Sequence, residues 1–273
     1  MTNLTCSIPE SLVEAVQAAS AESNLSVDEL VAKALSAYLQ VPLHTLFQVS
    51  TSGALVKGIY QGAVSTGELL RHGDFGLGTF EGLDGEMVIV DGKIYQVRGD
   101  GTVQPIKEDV LIPFAAILPF TADVRFELRD LSTVEDLRAA CDAHRASDNL
   151  FYAFRVDGHF RSVHTRAMRP AKEHTPLVEA AGVQPEFHFE EVSGTIVGFW
   201  SPGYATAFSI PGYHFHFLST DRTKGGHLLD FLGAPLVVHM DSVSGFYVSL
   251  PERGDFLQAD LPNDPSAALT KAE

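Results

Sequence analysis

The stretch Pro211-Gly-Tyr-His-Phe-His-Phe217, continued by Gly225-Gly226-His227, limits what this chain can fold into more than any other. His214 and His216 stand at i and i+2, and residues so spaced on a β-strand share one face. Tyr213, Phe215 and Phe217 then turn to the opposite face. The polar run Ser219-Thr-Asp-Arg-Thr-Lys-Gly-Gly226 is long enough for a second strand to return beside the first, carrying His227. The spacing predicts three imidazoles converging from one hairpin. Such a set, His214, His216 and His227, would hold a Zn²⁺ ion and leave positions open for water or substrate, the layout of catalytic rather than structural zinc. The competing reading of a lone His-x-His is a pair of partly buried histidines. The third His and the double Gly favour the metal.

The remainder of the chain suits such a site. Its 273 residues are 45% hydrophobic and 20% charged, as expected of a globular protein with a sizeable core, in one large or two ordinary domains. The net charge of −16 repels nucleic acid and anionic membranes. An anionic substrate would need a local positive centre, which a bound cation supplies. The two cysteines, Cys6 and Cys141, are far apart and lack CxxC spacing, which fits a reducing compartment. With no signal-peptide pattern and no apolar run of membrane-spanning length, the cytoplasm is the expected location.

Residues 1–41 read as a separate strand-helix-helix unit. Leu4-Thr-Cys-Ser-Ile8 forms the strand, Pro9 opens a first helix, and the Ser26/Glu29 capping box opens a second. This resembles a ribbon-helix-helix module, which dimerises and binds DNA through its paired strands. Here Glu10, Glu14, Glu22, Asp28 and Glu29 face only Lys33, and the strand has no cation for phosphate. An accessory packing or dimerisation element is the expectation, with nucleic-acid binding disfavoured.

From Leu46 the pattern becomes short apolar runs between Gly, Asp and Ser. Strands are expected at Gly76–Glu81, Glu86–Val90, Lys93–Val97, Ile112–Phe120, Thr121–Leu128, Val192–Trp200, Ala207–Ile210, Tyr213–Ser219, His227–Leu232 and Phe246–Leu250. Asp91-Gly92 and Asp157-Gly158 read as hairpin turns. Thr66 reads as the cap of a short helix, and Ser132-Thr-Val-Glu135 as the capping box of a helix reaching about Ala146. The fold class is α+β and β-rich. The expected division is an extension at 1–41, a β-rich part at 46–170 and a C-terminal metal-binding part at 186–273, with a boundary near Ala171–Pro185.

Two sets of motifs resemble the acetolactate decarboxylase family. One is Gly194-Thr-Ile-Val-Gly-Phe-Trp-Ser-Pro-Gly-Tyr204 followed by the His-x-His and Gly-Gly-His segments. The other is His72-Gly-Asp-Phe-Gly-Leu-Gly-Thr-Phe80, then Leu83-Asp-Gly-Glu86 and Asp91-Gly-Lys-Ile-Tyr-Gln96. They keep the family's order from about Ser50 to the C-terminus. The resemblance implies a fold of mixed and antiparallel sheets with a β-barrel-like metal-site domain. It implies zinc-dependent decarboxylation of (S)-2-acetolactate to (R)-acetoin and carbon dioxide, on the route to butanediol, by a homodimer or higher homo-oligomer. No organic cofactor is needed, because the substrate carries its own β-carbonyl.

The resemblance also assigns roles to single residues. Glu86, which by itself reads as a solvated turn residue, matches a glutamate facing the metal and is a candidate acid or base. Thr79 matches a small polar residue of the same pocket. Arg166, in Val163-His-Thr-Arg166, becomes the clamp for the substrate carboxylate. Glu273 falls at the register of a glutamate from the C-terminal tail, anchored by Phe256, Leu257, Leu261 or Leu269. His72, His164, His188 and His239 read as structural or surface groups. So do Arg155, Arg161 and Arg169. Two other readings compete. A cupin-like dioxygenase or isomerase would want a glutamate soon after the His pair, where only Asp221 stands. A metabolite-binding regulator with a ribbon-helix-helix N-terminus is opposed by the acidity of residues 1–41.

Overall fold

The protein is described here by a computed structural model covering residues 5–23, 25–39, 43–107, 109–261 and 264–272. It divides into two compact units, Met1–Leu43 and His44–Glu273. In the first, α1 (Glu10–Ser23) starts directly after Pro9 and α2 (Val27–Leu39) starts at the expected capping box. The Ser26 backbone N–H donates to the Glu29 carboxylate at 2.7 Å, and the Glu29 N–H returns to the Ser26 hydroxyl at 3.2 Å. The strand expected over Leu4–Ile8 is not formed over residues 5–8. A strand is stable only with a partner, and none of the segments described supplies one.

The second unit carries strands β1 (Thr45–Val49), β2 (Val64–Ser65), β3 (Phe75–Thr79), β4 (Glu86–Val90), β5 (Lys93–Val97), β6 (Val103–Pro105) and β7 (Leu111–Ile112). They are followed by β8 (Phe114–Leu118), β9 (Val124–Leu128), β10 (Phe151–Arg166), β11 (Glu186–Ser201), β12 (Gly212–Ser219), β13 (Gly225–Val243) and β14 (Gly245–Ser249). Its helices are short: α3 (Ser52–Val56), α4 (Thr66–Leu69), α5 (Val134–His144), α6 (Leu177–Ala181) and α7 (Ser266–Ala272). One sheet has seven strands in the order β14-β1-β8-β3-β4-β5-β6, with the β1–β14 pair parallel. The other has five, β10-β11-β12-β13-β9, with a further β10–β13 pairing. The β-rich, mixed-sheet expectation therefore holds, while a barrel is not a clear feature. The seven-stranded sheet is open, and β9 lies as an edge on the other. Segments on both sides of 171–185 build both sheets: β14 joins the first, and β9 and β10 join the second.

The two sheets pack over a shared core. Leu77, Val88 and Leu118 from the first meet Val197, Phe199 and Leu218 from the second. Behind the five-stranded sheet, Leu137 and Cys141 of α5 cover Phe154, Phe160, Phe215 and Phe217. A smaller cluster joins the helices beside the pocket: Leu55 of α3, Leu177 of α6, and Leu269 and Ala272 of α7 pack with Leu83, Phe114 and Ile210.

Several local expectations are corrected. Asp157-Gly158 makes no hairpin, for β10 runs through it from Phe151 to Arg166. Against β13 the register shifts between Gly158 and Phe160. A Cβ on Gly158 would lie 2.4 Å from Leu236 Cδ2 and 2.9 Å from the Pro235 carbonyl, so this glycine admits a close neighbouring strand rather than a turn. Ala207–Ile210 forms no strand; Ala207 and Phe208 are turn and Ser209 is a bend. The caps sit one residue away from where they were read: Ser65 caps α4, and the box of α5 is Thr133 with Asp136. Asp91-Gly92 does form the β4–β5 hairpin, with both residues at positive φ.

Candidate active site

The hairpin of β12 and β13 carries the three imidazoles. His216 and His227 are direct cross-strand partners, and His214 lies two residues earlier on the same face of β12. Phe215 and Phe217 turn into the core behind the sheet, as alternation requires. The turn between the strands is closed by its own side chains. The Ser219 hydroxyl accepts from the N–H groups of Thr223 and Lys224, and Asp221 accepts from the Thr223 N–H. Gly226, at φ 136°, passes so close to β10 that a Cβ would lie 2.6 Å from the Arg166 carbonyl. The double Gly therefore lets His227 settle opposite Arg166, its partner on β10.

His216 and His227 are almost fully buried and His214 is half-buried. Nε2 of His214 lies 3.1 Å from Nε2 of His216, and one ring nitrogen of each of the three lies within 4.8 Å of the others. Nδ1 of His216 lies 2.8 Å from the Met87 carbonyl. A carbonyl can only accept, so the proton is on Nδ1 and the Nε2 lone pair faces the other imidazoles. Burial, aided by the Arg166 charge, holds His214 at about 3, far below the ordinary 6.5. His216 and His227 are also driven well down, first by burial and then by neighbouring imidazoles and Arg166. Neutral rings with converging lone pairs are the ligand form. A tetrahedral Zn–N distance near 2.0–2.1 Å would put nitrogens about 3.3 Å apart. The three residues therefore fit a divalent metal ion.

The other predicted groups gather around the trio. Glu86 opens β4 and is buried, with Oε2 3.5 Å from His216 Nε2 and Oε1 accepting the Met168 N–H at 3.0 Å. Thr79 is its cross-strand partner, and its hydroxyl donates to the Gly85 carbonyl at 2.8 Å, closing the turn before Glu86. Its observed hydrogen bond thus shapes the turn that aims Glu86. Arg166 ends β10, and its Nη2 donates to the Ala272 carbonyl at 2.6 Å. A cavity of about 50 Å³ is lined by Thr79, Glu86, Arg166, His214, His227 and Ala272, among others. Glu273 itself lies outside the described residues, but Leu269 and Ala272 are buried, so α7 docks beside the pocket. Of the suggested tail anchors, Leu269 serves and Leu257 is exposed.

Sequence reasoning missed the apolar and amide lining, including Met168, Gln184, Leu177 and Ile210. The segment 171–185, which holds Leu177 and Gln184, reads as a boundary because of its Pro, Glu and Ala content, and no periodicity marks it as pocket wall. Arg155 is not a plain surface residue, for it bridges Asp91 and Asp157.

Fold and pocket together define a β-rich enzyme built around a largely buried imidazole trio flanked by a carboxylate and a guanidinium. The sequence model of the alpha-acetolactate decarboxylase family matches residues 46–263. The chain belongs to that family. It is 43% identical to the alpha-acetolactate decarboxylase of Methylococcus capsulatus over 231 residues, covering 84% of this chain and 89% of the relative. It is 42% identical to that of Methanosarcina mazei over 229 residues, covering 84% and 80%. The crystal structure of the Bacillus subtilis enzyme superposes with a TM-score of 0.81 at 37% identity, over 84% of this chain and 99% of that one.

Proposed function

We propose that this enzyme decarboxylates (S)-2-acetolactate to (R)-acetoin and carbon dioxide, with His214, His216 and His227 holding a Zn²⁺ ion. The observation that carries the reading is a cluster of three neutral imidazoles beside a cavity that His214, His227, Arg166 and Glu86 line, in a chain of this family. When bound, the ion supplies a positive centre that polarises the oxygens of a 2-hydroxy-3-oxo acid.

The chain's own groups do the rest. Arg166 presents a planar fork to the substrate carboxylate and fixes its orientation. As the bond from C2 to the carboxylate breaks, its electron pair moves toward the C3 ketone oxygen, leaving an enediolate. Arg166 lies beside that charge and stabilises it. A carboxylic acid then returns a proton to C2, giving acetoin. Glu86 is placed for this step by the Met168 N–H, which fixes one oxygen and leaves the other toward the imidazoles. Glu273 is the second candidate donor, supported by the docking of α7 as far as Ala272. The apolar wall of Phe114, Leu83 and Ile210 keeps bulk water from the carbanionic centre.

No helix among the described residues is long and apolar enough to cross a membrane. A cytoplasmic homodimer or higher homo-oligomer is part of the same proposal. It is supported by the first unit, where α1 and α2 bury no residue and Leu12, Val31, Leu35 and Tyr38 are exposed. The test is an acetoin assay on purified protein with metal analysis of the same sample. Acetoin formed from acetolactate and abolished by chelation is the expected outcome, and a metal-loaded protein without acetoin formation would refute the reading.

A further inference from the structure

A second group of ligand-type side chains lies on β10 and β11. His164 and His188 are direct cross-strand partners, and their rings stack with centroids 4.0 Å apart and planes 18° apart. Glu186 stands two residues before His188 on the same face of β11. Its Oε2 lies 2.8 Å from Nε2 of His164. One ligand atom of each of the three lies within 4.8 Å of the others. His164 is half-buried, and Glu186 and His188 are exposed, so the group is open to solvent.

We propose that His164, Glu186 and His188 form a second cation site, specific for divalent transition metals such as Zn²⁺, Cu²⁺ or Ni²⁺. The donor set decides the class. Two imidazoles and one carboxylate suit these ions, whereas Ca²⁺ and Mg²⁺ demand oxygen ligands. The backbone is already in place, because β10 and β11 pair without interruption from Ser162↔Glu190 to Arg166↔Glu186. The three ligand atoms already lie within 4.8 Å of one another. A simple ion pair would engage His164 and Glu186 and give His188 no polar task. The His188 imidazole makes no hydrogen bond among the described residues, yet it stacks on His164 with a ring nitrogen within 4.8 Å of the other two ligand atoms. A shared cation uses all three.

The site is separate from the imidazole trio but close to it in the ladder. Glu186 is the cross-strand partner of Arg166, which in turn is the partner of His227. Sequence spacing conceals the group, since His164 and His188 are far apart in the chain and meet only through strand pairing.

The test is metal stoichiometry of the full-length protein after equilibrium dialysis against Zn²⁺, compared with His188→Ala and Glu186→Gln. The proposal predicts that bound zinc falls by one equivalent per chain in His188→Ala and that Glu186→Gln binds that equivalent more weakly. The readout is a difference, so it holds whether or not the imidazole trio is loaded. Copper electron paramagnetic resonance on protein that already holds one Zn²⁺ equivalent in the imidazole trio gives a second reading, with couplings from two imidazole nitrogens at the added Cu²⁺ reduced to one in His188→Ala. Equal zinc content in the wild type and His188→Ala would overturn the proposal, as would unchanged nitrogen couplings.

Discussion

Arg166 and His227 are direct partners on β10 and β13, so the carboxylate clamp and a metal ligand are positioned by one rung of the sheet. The closeness of the two has an electrostatic trace, because the guanidinium charge helps to keep all three imidazoles neutral. Arg166→Lys keeps the charge and loses the fork. We expect kcat/KM for acetolactate to fall about tenfold to hundredfold, the scale of a charge-assisted hydrogen bond. Unchanged kcat/KM at equal metal content would take Arg166 out of substrate binding.

Glu86→Gln preserves shape and the acceptor for the Met168 N–H but removes the titrating oxygen. Turnover should drop by about two orders of magnitude or more, as for a lost general acid, with metal content retained. A variant with wild-type turnover would transfer the proton step to another residue.

The tail gives a separate test. Deleting residues 270–273 removes Ala272, whose carbonyl receives Arg166, while leaving Leu269 in its buried place. Turnover should fall by about two orders of magnitude if the tail carries a proton donor. Full activity in the truncated protein would show that Glu86 works alone.

The metal-free protein should be acid-sensitive in a defined window. His214 titrates near 3 when folded and at 6.5 when unfolded, and His216 and His227 are lowered in the same direction. A depressed folded pKa means that the unfolded chain binds the extra protons. Their stabilisation is full above pH 6.5 and is lost as pH falls toward 3. His72 and His239, also lowered by burial, add to the slope. Urea midpoints of the chelated protein should fall steadily from pH 7 to pH 5, and less steeply in His214→Asn. A flat profile over that interval would mean that the imidazoles are not buried neutral.

Much of this was legible locally. The His214/His216 alternation, the returning His227 and the Asp91-Gly92 hairpin depend on strand period and turn chemistry, both written within a few residues. Other features depend on distant partners. Asp157-Gly158 has the letters of a turn, but Leu236 and Pro235 across the sheet make it a close approach inside one long strand. His188 looked isolated because its partner His164 is found only through the β10–β11 register. Glu86 reads as a solvated turn residue until Met168, far along the chain, is seen to hold it in the pocket.

The most direct measurement is acetoin formation and metal content of a protein carrying His214→Ala, His216→Ala and His227→Ala, with His164, Glu186 and His188 intact. The account predicts a folded protein that has lost one metal equivalent relative to the wild type and forms no acetoin from acetolactate. Wild-type acetoin formation by that variant would contradict it.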